Sequence, residues 1–307
     1  MTTQIRNRLD EQFNEYRIVR KMHDVPPHEV FEVEVDGRRA VIKYDVGPTG
    51  KAGTAGMVIE FLERHTTTPV PSILARGEDY YVAAWHPAAP VPDAAGTADE
   101  SWATAAGRGL ATLHDETEHV VDGYGRFVGV TADRLYAPHQ RWHDAAIAYV
   151  DGYRPTMKQH GHADLADRVL QLFERRPELF DDAGPSVCCH GWATPEHVSV
   201  IDDMVACFVD FEHAIAAPGE FDYWRTVIPT FGSDEHDVLR AFRRGYEAVR
   251  PFESGFERRK RLYTMLNVVY FFESLYVQDQ HEPQETSRRA RVLRDRLTTL
   301  IDELAAG

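Results

Sequence analysis

Hydrophobic and polar positions alternate most clearly near the start of the chain, in EVFEVEVDGRRAVIKYD. Phe31, Val33 and Val35 alternate with Glu32 and Glu34, the period of a half-buried strand. Asp36-Gly37 follows, a favoured two-residue hairpin turn, and Ala40–Tyr44 reads as the returning strand. The Gly-bearing loop VGPTGKAG leads into a helix predicted over 54–65. There Val58, Phe61 and Leu62 recur at helical spacing, and Pro69 and Pro71 follow its end. Two short strands, 72–76 and 80–85, flank a Gly77-Glu78-Asp79 turn. The pattern lapses in HPAAPVPDAAGTADE, rich in Pro, Ala and Asp, which reads as a linker. It separates a predicted N-terminal β-lobe, 1–85, from a helical lobe, 86–307.

Beyond the linker the pattern is mostly helical. Residues 101–116 carry Ala105, Leu110 and Leu113 on one stripe, and further helices are predicted near 139–152, 162–175, 233–249, 255–278 and 284–305. One island interrupts them: PSVCCHGWATPEHVSVIDDMVACFVDFEHA. It reads as strand, loop, strand, a turn at Asp202-Asp203, and strand, a β insert centred on 188–212. An irregular polar loop pinned by a small sheet is a usual place for site residues.

Composition narrows the function. The 307 residues include 34 Lys+Arg against 49 Asp+Glu, a net charge of −15. Nucleic acids and anionic membranes are attracted by basic faces, so neither is an expected partner. Only Lys21, Lys43, Lys51, Lys158 and Lys260 are lysines. Many carboxylates with few lysines suit a salt-rich cytoplasm, where ions screen the self-repulsion of the surface, and secondarily they suit the attraction of a cationic substrate. Cys188, Cys189 and Cys207 form neither a disulfide framework nor a CxxC zinc motif. MTTQIRNRLDEQF has no apolar core and does not read as a signal peptide. TMLNVVYFFESLYV is too short to span a bilayer and contains Asn267 and Glu273. The expectation is a soluble, cytoplasmic protein.

The order of the motifs carries a resemblance. A strand lysine (VIKYD), a short hinge (AAWHP) and a helix ending in LATLHDE are followed by a His-Gly loop. Then come a strand ending in Asp-Phe-Glu and a later Phe-Asp-Tyr. From about residue 15 to about 280 the chain resembles the aminoglycoside phosphotransferase and choline kinase group. That group implies an α+β, protein-kinase-like fold of two lobes. It also implies phosphorylation of a small-molecule hydroxyl from ATP with Mg²⁺ or Mn²⁺. The resemblance makes Lys43 the group on the nucleotide's α- and β-phosphates. Backbone at Ala84 and His86 would face the adenine. Asp210 would hold the metal, and His190 and Asp222 would brace the catalytic loop.

Departures accompany the matches. The group reads His-Gly-Asp, four residues, then Asn; here the order is His190-Gly191-Trp192, then Ala193-Thr194-Pro195-Glu196, then His197. Trp192 takes the place of the proton-accepting Asp, and an indole only donates. Glu196 and His197 are the ionisable residues of the loop and the candidate substitutes, with His197 a candidate metal ligand beside Asp210; Glu212 can share that site. HDVPPHEV, where a phosphate cradle is expected, has no glycine, and Ala55 stands where the group's Lys-pairing Glu would fall. VGPTGKAGT lacks the first glycine of a P-loop. Three readings stay open: a phosphotransferase with an altered catalytic loop, a pseudokinase that binds without transfer, and a scaffold with an empty cleft.

Overall fold

The computed structural model describes residues 2–90, 98–232 and 236–306. Part of the proposed linker lies outside the described residues. The chain opens with α1 (Thr2–Gln12), β1 (Tyr16–Val25), β2 (His28–Val35) and β3 (Arg38–Asp45). It continues with α2 (Ala52–His65), β4 (Ile73–Arg76) and β5 (Tyr80–Ala84). The five strands form one antiparallel sheet in the order β1-β2-β3-β5-β4. The predicted hairpin is present. Asp36 and Gly37 have φ of 46° and 74°, as a primed two-residue turn requires. Val33, Val35, Ala40 and Ile42 form a small core with Ile5 and Leu9 of α1, an element the sequence pattern did not announce.

Next come α3 (Glu100–Thr117) and four two-residue strands: β6 (Val121–Asp122), β7 (Gly125–Arg126), β8 (Gly129–Val130) and β9 (Leu135–Tyr136). They are followed by α4 (Trp142–Gln159), α5 (Ala163–Arg175), β10 (Ser186–Cys189), β11 (Val198–Ile201), β12 (Met204–Phe208) and β13 (Ile215–Pro218). The chain ends in α6 (Gly219–Phe231), α7 (Asp237–Glu247), α8 (Phe256–Val277) and α9 (Pro283–Ala306). The strand–loop–strand–turn–strand island is therefore β10 to β12. Asp202 and Asp203 take φ of 52° and 58° at its turn.

Two helices depart from the expected bounds. The pattern ends a helix near 152, yet α4 continues through Pro155. The hydrogen bond that proline forfeits would reach the carbonyl of Asp151, which is exposed, so water can replace the lost donor. The second helix, α6, carries no clear amphipathic stripe because Gly219 to Val227 are all buried. It is fixed to α8 by a buried bidentate pair, Arg259 to Glu220, at 2.8 and 2.6 Å. The three cysteines are free and buried. Among the described residues no helix is long and apolar enough to cross a membrane.

Candidate functional site

The site lies where the N-terminal sheet meets the β10–β13 region. Lys43 is central in β3 and only 4% exposed. Its ammonium lies 2.5 Å from Asp210, just past β12, and also bonds Glu212. Burial alone would make this ammonium easier to deprotonate, but the charges of Asp210 and Glu212 outweigh it and raise its pKa. No acid of α2 takes part: Glu60 pairs with Arg64 and Arg76 at 2.5 and 2.7 Å. Asp210 itself stands in the left-handed region, φ 67°. His28, which follows the glycine-free β1–β2 turn, reaches the same cluster. Its Nε2 is 2.8 Å from Glu212 and its Nδ1 2.8 Å from Asp45. Burial opposes the charge on His28, but these two carboxylates raise its pKa.

The loop after β10 is held from below. Asp222, on the first turn of α6 and fully buried, accepts the amides of His190 at 2.6 Å and Gly191 at 2.8 Å. His114 of α3 lies 3.0 Å from the same carboxylate and 2.8 Å from the Tyr246 hydroxyl. Burial raises the Asp222 pKa, but its donors, His114 first, bring it below the usual carboxylate range. Gly191 has φ +84°, and a side chain there would run into the carbonyl of His213. Cys189 sits near His114 and Asp222, and burial holds its thiol well above its usual pKa, while His114 and Asp222 are engaged in bracing the loop.

Hydrogen bonds fix the histidine tautomers. His190 Nε2 lies 2.9 Å from the carbonyl of Val209, which only accepts, so Nε2 carries the proton. Its Nδ1 then accepts the amide of Trp192 at 3.2 Å. Both nitrogens are occupied, and burial pushes the ring's pKa down to about 4. His197 is the mirror case. Its Nδ1 donates to the carbonyl of Trp192 at 3.0 Å, leaving Nε2 3.6 Å from Asp210 Oδ2. Glu196 faces elsewhere: it accepts from Trp192 Nε1 at 3.2 Å and Thr194 Oγ1 at 3.1 Å. The Trp192 ring lies against Tyr270 and Phe271 of α8, with centroids 5.5 and 6.1 Å away.

At the end of β5, Ala84 pairs with Ala40 and donates its amide to the carbonyl of Ser72 at 2.8 Å. The carbonyl of His86 accepts from Ala89 at 3.0 Å, whereas its own amide has no partner among the described residues.

A family model described as the phosphotransferase enzyme family matches residues 28–260, most of the chain. The chain belongs to this family. A search of curated protein sequences returns no match. Among solved structures, a protein of Thermobifida fusca assigned as a fructosamine-3-kinase is similar at TM-score 0.69 and 17% identity, over 98% of each chain. A thermostable mutant of the aminoglycoside phosphotransferase APH(4)-Ia, in ternary complex with ADP and hygromycin B, is similar at TM-score 0.66 and 15% identity over 99% of each. A protein of Haemophilus somnus assigned as a fructosamine-3-kinase gives 0.65 and 15%, covering 99% of this chain and 97% of that one. At such identities the likeness is one of fold, and the fold is the kinase-like one the motif order implied.

Within the phosphotransferase family frame, Lys43, Asp210, Glu212 and His197 come together, and His190 and Asp222 form a separate support beneath the loop. Several neighbours were not singled out from sequence: His28, Lys51, Arg126, Arg225, His213 and Tyr270. Some left a trace. Lys51 is one of five lysines. Asn267 and Glu273 are the polar interruptions of the apolar α8 segment. Asn267 is buried and accepts from Arg225 at 3.2 Å, and Glu273 lines the cleft.

Proposed function

We propose that this protein transfers the γ-phosphoryl group of ATP to a hydroxyl of a small molecule, through a catalytic loop that has lost the usual Asp. The observation that carries this reading is the buried Lys43 held between Asp210 and Glu212. A strand lysine and two acids at the mouth of a cleft are the parts that phosphoryl transfer needs for positioning and charge neutralisation. Residues 1–85 act as the nucleotide lobe and 86–307 as the acceptor lobe, hinged near 84–90. Lys43 holds the α- and β-phosphates, and backbone at Ala84 and His86 meets the adenine; the His86 amide, without a partner among the described residues, supports this.

The donor set suits a divalent ion such as Mg²⁺ or Mn²⁺. Asp210 offers a carboxylate, and His197 offers a lone pair fixed in place by its Nδ1 bond to Trp192. When bound, the ion screens charge on the phosphates. The step forms a bond from the acceptor oxygen to the γ-phosphorus and breaks the bond to the β-phosphate oxygen, releasing ADP. The hydroxyl proton goes to a base other than Trp192, and Glu196 and His197 are the loop's candidates. Loss of a positioned base costs about 10²–10⁴-fold, which slows transfer without abolishing it.

One observation favours a second reading, a pseudokinase: the Trp192 ring is packed by Tyr270, Phe271 and Arg225 and fills the position of the base. The test is ATP turnover with Mg²⁺ and with Mn²⁺, against amino sugars, amino alcohols and hydroxy acids. It compares wild type, Trp192→Asp, His197→Ala and Glu196→Gln. Turnover by wild type, with altered metal preference in His197→Ala, supports transfer. Turnover by Trp192→Asp alone makes the natural protein a pseudokinase.

A further inference from the structure

Three cations gather at the inner end of the cleft without acidic partners. Lys51, at the start of α2, lines a cavity with His28, Glu212, His213, Tyr270 and Glu273. Arg126 of β7 and Arg225 of α6 lie within electrostatic reach of both Lys51 and Glu273. Among the described residues, no carboxylate oxygen comes within 4.0 Å of Lys51, Arg126 or Arg225. Arg225 is 2% exposed, donates to Gly191 O at 2.8 Å and lies 3.7 Å above the Tyr270 ring. Those contacts engage two of its N–H groups and one face, and no carboxylate among the described residues pairs with its charge.

The acids nearby do not cancel this charge. Glu212 is committed to Lys43, His28 and His213. Burial raises the pKa of Glu273, so it surrenders its proton less readily. Burial, then Arg126, bring the Lys51 ammonium down to about 8. Lys51 is the lysine on the cavity wall, and Arg126 and Arg225 stand behind it, so positive charge gathers here in a chain of net −15. A second observation points the same way. The Tyr149 hydroxyl is buried with no hydrogen-bond partner among the described residues, and its ring packs on Tyr153, over which Arg126 lies at 5.4 Å. The cavity also runs on, through Ser274 and Gln278, into a groove between α8 and α9 that contains Arg288 and Arg289.

We propose that this cavity is an acceptor subsite for an anionic small molecule, one bearing a carboxylate or phosphate beside the hydroxyl to be modified. Lys51 binds the anion from the cavity wall, Arg126 adds positive charge from its place over Tyr153, and Arg225 supports the subsite from beneath Trp192. The assignment as acceptor rests on the phosphotransferase reading. Anion binding by these residues does not.

The experiment measures binding of glucuronate, glucose 6-phosphate and glucosamine by calorimetry, with and without saturating AMP-PNP and Mg²⁺. It uses wild type, Lys51→Gln and Arg126→Gln, with circular dichroism to confirm folding. At least one of the two anions is expected to bind wild type with AMP-PNP present, and at least tenfold more weakly to Lys51→Gln. Glucosamine is expected not to bind. Removing an unpaired, partly buried charge should leave the melting temperature of unliganded Lys51→Gln equal or higher, so folding is not the confounder. Binding of glucosamine alone overturns the proposal, as does absence of anion binding to wild type. Equal anion affinity in Lys51→Gln and Arg126→Gln overturns it too. Loss of anion binding on AMP-PNP saturation also overturns it, since the cations would then serve the nucleotide's own phosphates. If AMP-PNP fails to bind while the Lys51-dependent anion does, the phosphotransferase reading falls and the anion subsite stands.

Discussion

Asp222 accepts the amide of Gly191 at 2.8 Å across 31 residues of sequence, and so holds the loop that precedes Trp192. The same carboxylate serves the His190 amide and the His114 ring. Asp222→Ala leaves three buried donors without an acceptor. At about 1–3 kcal/mol for an unsatisfied buried group, partly relieved by relaxation, the expected loss is about 3 kcal/mol. Urea denaturation checks it, and a loss under about 1 kcal/mol would show that the loop is held by other contacts.

Stability should fall between pH 6.5 and 4. His190 and His114 are fully buried, and burial lowers both pKa values, that of His190 to about 4. Below about pH 6.5 the unfolded chain takes up protons that the folded chain refuses, so stability drops as pH falls through this window. His190 alone contributes roughly 3 kcal/mol by pH 4. His28 has the opposite sign: its raised pKa adds stability at acid pH that is lost as pH rises through its folded value. Denaturation at pH 7, 6 and 5 measures the sum. A profile that stays flat in a His28→Gln background, where the opposing contribution is gone, would mean that the His190 and His114 rings are solvated.

Lys43→Met leaves Asp210 and Glu212 facing each other without their shared cation. Their side chains are 28% and 16% exposed, which tempers the penalty to about 3 kcal/mol, the low end for a broken buried pair. ATP affinity should fall at least tenfold if Lys43 contacts the phosphates. Calorimetry against ATP, with a melting curve for each protein, separates the two effects. Unchanged affinity in a folded variant removes Lys43 from the nucleotide site.

With 49 acidic against 34 basic residues, the melting temperature should rise with KCl between about 0.1 and 2 M. The surface carries many Arg–carboxylate pairs that salt also screens, such as Arg17–Glu34 and Arg288–Glu285. The net charge decides the sign. A falling curve would mean that attractive pairs dominate and that the acidity is not an adaptation to salt.

Strand and turn chemistry made the N-terminal sheet legible, because alternation and Asp36-Gly37 are local signals. The His-Gly loop and Asp210 were legible through motif order. What sequence could not show is convergence. His28, Lys51, Arg126 and Arg225 sit on four separate elements, and no spacing along the chain brings them together. Helix α6 was missed because it is buried on all sides and so lacks a stripe. Helix α1 was missed because its short apolar pair, Ile5 and Leu9, acquires meaning only against the sheet.

His28 and Lys43 come from neighbouring strands and converge on one carboxylate, Glu212, across the cleft. A roof built on a glycine-rich turn is held down by its guest, whereas this roof is fastened to the floor by the chain itself. Opening means parting charges, so the residence time of a guest is set by an electrostatic latch. Counter-ions reach such a latch poorly, because the His28 and Lys43 side chains are nearly fully buried. If a nucleotide is the guest, its exchange should therefore change little in concentrated KCl while the exposed surface, and with it the fold, grows firmer, so that speed and durability answer to salt separately.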